Sequence, residues 1–254
     1  MPTPRLPPSE QQRLAVRARP DQTPVMHMRW DQLLFLHWSF DPTVIQSTLP
    51  PGLHVDTHEG RAWVGLVPFF MRDVRPIGLP AVPVLSDFLE VNVRTYVYND
   101  DGVPGVWFYS LDCDQPVAVE AARRLFHLNY RHAEMSASHD AATGDVALRT
   151  KRRDQPAAHS HFRYRAGGRP RRAEVGSLEF FLVERYVLFA YDAARERVGA
   201  GRVSHEPYEI RDAQVDEYDA ALLEAAGLKP ARSAYEHACA THAQAVAATR
   251  VVFE

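Results

Sequence analysis

The feature that most constrains this chain is Glu90-Val91-Asn92-Val93-Arg94-Thr95-Tyr96-Val97-Tyr98, which repeats with period two. Val91, Val93 and Val97 fall on one side, and Glu90, Asn92, Arg94, Tyr96 and Tyr98 on the other. Successive side chains of a strand point to opposite faces, so this run is a strand with one apolar and one polar face. Asn99-Asp100-Asp101-Gly102 follows, a hairpin turn signal, and Gly105–Asp112 is the partner strand. An antiparallel pair of this kind must cover its valine face, which commits the chain to a layered, strand-rich fold.

The flanking segments extend that reading. Trp30 to Trp38 is expected as a strand covered on both faces, because Leu34 and Leu36 alternate with Leu33, Phe35 and His37. Asp41-Pro42 opens a short helix, with Asp as N-cap and Pro at the first helical position, and Pro50-Pro51-Gly52 ends it. Residues 53–57 and 61–67 read as strands paired with each other, and Asp73–Pro83, with four prolines or glycines, as a long loop. Pro116 to Leu128 is the clearest helix, because Val117, Ala121, Leu125 and Leu128 form one stripe. Residues 145–153 and 159–166 form a basic hairpin, Leu178–Tyr191 a strand, 201–210 a strand broken at Pro207, and Ala213–Ala226 a second helix. Many hairpin-joined strands with few helices imply a β-rich α+β fold, an antiparallel β barrel or curved sheet with packed helices. Residues 1–24, with six prolines, are expected as a disordered or surface-wrapped tail, and 25–254 as a single domain.

Composition removes several function classes. A net charge of −3 over 254 residues gives no reason to expect a nucleic-acid partner, and no apolar run suits a membrane span or a secretory leader. A cytoplasmic location is the expectation. Cys113 and Cys239 belong to no CxxC pair. His205-Glu206-Pro207-Tyr208 invites a metal reading, but there is no HExxH; neither His127 and His132 nor His237 and His242 complete a ligand set, so no metal and no cofactor is expected. Oligomeric state is not readable.

A set of phrases in order resembles the YqjF-like family, the domain of unknown function 2071. They include Trp30-Asp31-Gln32-Leu33-Leu34-Phe35-Leu36-His37-Trp38, Leu49-Pro50-Pro51-Gly52-Leu53, Gly60-Arg61-Ala62-Trp63-Val64-Gly65-Leu66-Val67-Pro68-Phe69 and Phe88–Val97. Gly105–Leu111, Glu184-Arg185-Tyr186 and His205–Tyr208 complete them. The resemblance implies the fold of acetoacetate decarboxylases, a cone-like antiparallel β barrel around a small cavity, and supplies no activity. The segment Arg123-Arg124-Leu125-Phe126-His127-Leu128-Asn129-Tyr130-Arg131 is similar to the decarboxylase active-site segment, but Tyr130 and Arg131 stand where that family has its lysines. The relatives' Gly-Leu-Pro-Tyr is His127-Leu128-Asn129-Tyr130 here, with Asn129 available for a left-handed turn.

Within that expectation the candidates are few. The chain has two lysines, Lys151 and Lys229, neither at the motif position, so Schiff-base chemistry is not expected. The face Glu90, Asn92, Arg94, Tyr96 has two readings. One is a solvent-facing strand with an ordinary ion pair. The other is the wall of a cavity, with Arg94 holding a carboxylate or carbonyl, Glu90 as acid or base, and Asn92 and Tyr96 binding ligand. Tyr130 follows a helix carrying Arg123 and Arg124; it is either packed as a helix-end residue or an acid whose pKa a nearby cation lowers, with Arg124 a further ligand contact. The basic stretch Arg149–Arg172 has nine Lys or Arg against Asp154 alone, and reads as a solvated hairpin or a phosphate patch. The expected function is binding of a small anionic or carbonyl-bearing metabolite, with acid/base chemistry if there is turnover. The alternative is a non-catalytic binding or sensor protein.

Overall fold

The computed structural model describes residues 6–229, 241–243 and 249–253, the last two groups as backbone only. Its centre is the hairpin of β5 (Phe88–Asn99) and β6 (Pro104–Cys113). The Asn99 side-chain oxygen accepts from the backbone N–H of Asp101 and Val103, and Gly102 takes a positive φ of 76°. This is the Asx geometry that a tight turn needs. On β6, Tyr109 is bulged: Val93 pairs with Ser110 and Arg94 with Phe108. The extra residue shifts the pleat, so Phe108 and Leu111 both reach the cavity described below.

Around this hairpin lie β1 (Met26–Asp31), β2 (Leu33–Phe40), β3 (Leu53–Val55) and β4 (Ala62–Pro76). After α3 (Pro116–Phe126) come β7 (Tyr130–His139), β8 (Val146–Arg152), β9 (His159–Arg172), β10 (Val187–Asp192), β11 (Arg197–Ser204), β12 (Glu209–Tyr218), β13 (Thr241–Ala243) and β14 (Thr249–Phe253). Together they form one sheet of fourteen strands among the described residues, with additional β1–β4 and β5–β6 pairings. The expected antiparallel barrel is corrected to a mixed sheet, because β6 pairs in parallel with both β7 and β10. The reason is α3: a helix between two strands returns the chain to the same end of the sheet, so β7 must run with β6.

Other expectations need correction too. Leu178–Tyr191 is not one strand. Ser177 accepts from Phe180 N and caps α4 (Leu178–Val183), and only then does β10 begin. Ala213–Ala226 is not one helix. Residues 209–218 are β12, paired with β9 through two register shifts that blur its alternation, and α5 (Ala221–Ala225) follows. Residues 53–57 and 61–67 are not mutual partners: β3 pairs with β5, and β4 with β2 and β5. The Trp30–Trp38 run is divided at Gln32, whose φ is 53°. Helix α3 stops at Phe126, and His127, not Asn129, takes the left-handed conformation with φ 52°. The α2 helix (Pro42–Gln46) forms with Asp41 as its cap. Cys239, His237 and the side chain of His242 lie outside the described residues.

The two faces of β5 have different fates. Val91 and Val93 pack with Trp38, Leu36, Ile45 and the α5 residues Leu222 and Leu223, all essentially inaccessible. Burying side chains of this size contributes about 1.5–3 kcal/mol each. Ahead of β1, α1 (Glu10–Ala15) has a capping box between Ser9 and Gln12, and its Arg13 forms a bidentate pair with fully buried Asp56. Arg185 Nη1 donates to the same carboxylate at 3.0 Å. No helix among the described residues is long and apolar enough to cross a membrane.

Candidate functional site

The other face of β5 lines a cavity of about 170 Å³. Period two delivers Glu90, Asn92 and Arg94 from β5, and Val67, Phe69 and Met71 from β4. Met28 and Trp30 of β1 add to an apolar wall, and α3 covers one side with the small residues Ala118, Ala121 and Ala122. Polar groups are few: Glu90, Asn92, Arg94, Tyr130 and Tyr208.

Glu90 is only 2% exposed. The Tyr130 hydroxyl donates to its Oε2 at 2.9 Å, and Tyr130 and Asn92 both act to lower its pKa. Burial in apolar surroundings outweighs both and pushes its pKa up to about 8. The carboxyl therefore keeps its proton through neutral pH. Tyr130 shifts upward as well, from burial and from the Glu90 charge. This corrects the expectation of a tyrosine acidified by a cation. Arg123 and Arg124 lie on the far side of α3, beside Glu120 at 3.7 and 3.3 Å, and Arg124 is 79% exposed. Arg124 is therefore remote from the cavity wall.

Arg94 and Glu90 share the cavity but form no ion pair among the described residues. The Arg94 Nη2 donates to the Leu182 carbonyl at 2.9 Å, with the guanidinium 5.1 Å from the Phe35 ring centre. Tyr96 is on the same strand face but is fully buried behind the cavity rather than lining it. Its hydroxyl donates to the Leu182 carbonyl at 2.8 Å and lies 2.6 Å from His37 Nε2. Arg94 and Tyr96 thus satisfy an orphan carbonyl at the end of α4. Gly65 leaves room for the imidazole, since a Cβ there would stand 3.0 Å from His37 Nε2.

Both lysines are exposed and neither lines the cavity. Among the described residues no group of acidic, His or Cys side chains could hold a metal ion. The basic hairpin is met by acids of its neighbours: Arg163 lies 3.8 Å from Glu217, and Arg171 contacts Glu179 and Asp212 at 2.6 and 2.8 Å. Arg152, at its start, is buried against Asp112. Tyr208 and Trp30 are cavity residues that sequence reasoning missed. Tyr208 belongs to the metal-like phrase and to the family resemblance, and its backbone N–H donates to Glu184 Oε1 at 2.9 Å, which seats it.

Known proteins match this arrangement at two levels. Solved structures match in fold at 13% identity, a level that shows the fold alone. The enduracididine biosynthesis enzyme MppR, in complex with the condensation product of pyruvate and imidazole 4-carboxaldehyde, aligns with a TM-score of 0.61 over 91% of this chain and 90% of its own. Acetoacetate decarboxylase from Legionella pneumophila aligns with 0.57 over 99% and 90%. In sequence, YqjF of Bacillus subtilis (strain 168), an uncharacterized protein, is 35% identical over 197 residues, 78% of this chain and 79% of that one. Residues 27–246 match the DUF2071 family, described as an uncharacterized conserved protein. With its order of strands, its small cavity and these matches, the chain belongs to the DUF2071 family and has the acetoacetate decarboxylase-like fold.

Proposed function

We propose that the protein binds a small carbonyl-bearing or anionic metabolite in the cavity beside β5, in the cytoplasmic setting expected from its sequence, and that Glu90 supplies acid/base chemistry without a Schiff-base lysine. The observation that carries this reading is a buried carboxyl, held by the Tyr130 hydroxyl, in a largely apolar chamber that Arg94 also lines. A neutral carboxylic acid at that place has a proton to give to a ligand carbonyl oxygen, which leaves Glu90 as a carboxylate, and Arg94 in the same cavity offsets that charge. Tyr130 holds the carboxyl in place and is a second donor at the same spot. The fold neighbours lend support, because one is described with a pyruvate condensation product and another is named for acetoacetate, both carbonyl compounds. A second reading, a binding or sensor protein without turnover, draws on the predominantly apolar wall, which suits retention better than chemistry.

A screen of small ketones, hydroxyketones and short carboxylates by protein-observed NMR tests the site. Arg94→Met should weaken the best hit tenfold to a hundredfold, as expected for loss of a buried charge-assisted contact of about 1.5–3 kcal/mol. Unchanged affinity in a folded Arg94→Met protein would make Arg94 purely structural and remove the anchor. Borohydride treatment with acetoacetate or pyruvate should leave no covalent adduct; a mass increase on Lys151 or Lys229 would restore Schiff-base chemistry.

A further inference from the structure

Three polar atoms of the cavity residues, all buried, have no hydrogen-bond partner among the described residues: Trp30 Nε1 on β1, and Asn92 Oδ1 and Arg94 Nε, which share one face of β5. Asn92 is only 5% exposed. A buried polar atom left unpaired is costly, so each such atom in a folded protein calls for a partner. Asn92 lies on the inward face of β5, and its Oδ1 can only accept a hydrogen bond. The Arg94 fork is fixed by its bond to Leu182 O and by the Phe35 ring, which leaves its Nε–H as a spare donor. The two residues are i and i+2 on one strand face, so their Cα atoms are about 7 Å apart.

Building on the function proposed above, we infer that the ligand is a neutral molecule with a hydrocarbon body and a head that both donates and accepts a hydrogen bond, of the hydroxycarbonyl or carboxamide class. Its donor meets Asn92 Oδ1 and its acceptor meets Arg94 Nε. This selects between the two ligand classes left open above. An ionised carboxylate has acceptors only, so it suits Arg94 but sets lone pairs against Asn92 Oδ1. A simple ketone suits Arg94 and leaves Asn92 unpaired. The apolar wall holds the body, and about 170 Å³ is close to the size of an engineered apolar cavity that takes up benzene. That corresponds to a body of roughly six carbons.

Hexanamide, 2-heptanone and hexanoate are matched probes for the test, titrated at pH 7 into the full-length protein and followed by NMR. Hexanamide should bind about tenfold more tightly than either of the others, the worth of one extra buried hydrogen bond. Asn92→Leu should abolish the advantage over 2-heptanone while ketone binding persists. If Asn92→Leu fails to fold by circular dichroism, the ranking on the wild-type protein alone decides. Hexanoate binding most tightly, or 2-heptanone matching hexanamide, overturns the head-group inference while the cavity remains a binding site. Absence of binding by all three probes overturns this inference and the proposed function together.

Discussion

Glu90 and Asp112 are buried carboxylates on adjacent strands, one pleat apart, with opposite surroundings. In the β5–β6 register Glu90 faces Cys113 and Val91 faces Asp112, so the two acids point to opposite sides of the sheet. Asp112 is gripped by Arg152, whose Nε and Nη2 donate to it at 2.8–3.1 Å while Nη2 also reaches Ser110 Oγ at 2.6 Å. Among the described residues Glu90 takes its hydrogen bond from the neutral Tyr130 hydroxyl, and it is 2% exposed. A buried acid with a forked cation is a structural tie between β6 and β8. A buried acid without one keeps its proton and is available for chemistry. Burial pushes the pKa of both acids up, but among the described residues only Asp112 has an arginine hydrogen-bonded to it, so the two acids do different jobs.

The largest effect should come from breaking the tie. Arg152→Met leaves Asp112 buried without its cation and should cost about 3–5 kcal/mol in denaturant unfolding. A loss below about 1 kcal/mol would mean that water enters and the pair is not a staple. The next effect concerns Glu90 and pH. Its folded pKa of about 8 lies above that of an unfolded glutamate, so the folded state binds the extra proton. The resulting stabilisation is fully present at pH 4 and is lost as pH rises toward 8. Glu90→Gln removes this dependence, so stability of the wild type should fall relative to the variant by on the order of 3 kcal/mol across that window. Parallel pH curves for the two proteins would show that Glu90 is ionised and solvated, like a surface acid. The smallest effect should be that of Tyr130→Phe, about 1 kcal/mol in stability. Since the Tyr130 hydrogen bond lowers the Glu90 pKa, its removal should move the pH-dependent loss to higher pH. A shift to lower pH would contradict the assigned geometry.

Parts of the site were legible from residues alone. Alternation along β5 placed Glu90, Asn92 and Arg94 together, and the resemblance pointed that face at a cavity. Arg152 is equally legible. Val146, Leu148, Thr150 and Arg152 share one face of β8, and all four are buried. An arginine in phase with valine and leucine is a signal for a buried partner, hidden here because its neighbours made the segment look uniformly basic. Tyr96 could not be separated from Arg94 by period, since both occupy the same face; only α4, whose Leu182 carbonyl they bind, decides that one lines the cavity and the other is sealed behind it. Segment 213–226 failed for a different reason. Bulges in β12 destroy strict alternation, and the pairing with β9 that makes it a strand involves residues about fifty positions away.

By itself the sequence determined the local things: the β5–β6 hairpin, the Asp41 and Pro116 helix starts, the family, and the absence of a lysine at the motif position. These depend on neighbours within a few residues, or on matching a pattern residue by residue. Tertiary structure decided which way β7 runs beside β6, which arginine meets which acid, and that among the described residues Glu90 pairs with none. Those outcomes turn on distances between groups that lie tens of residues apart in the chain. A pKa near 8 for one glutamate follows from what surrounds it in space, and no local pattern of residues encodes that.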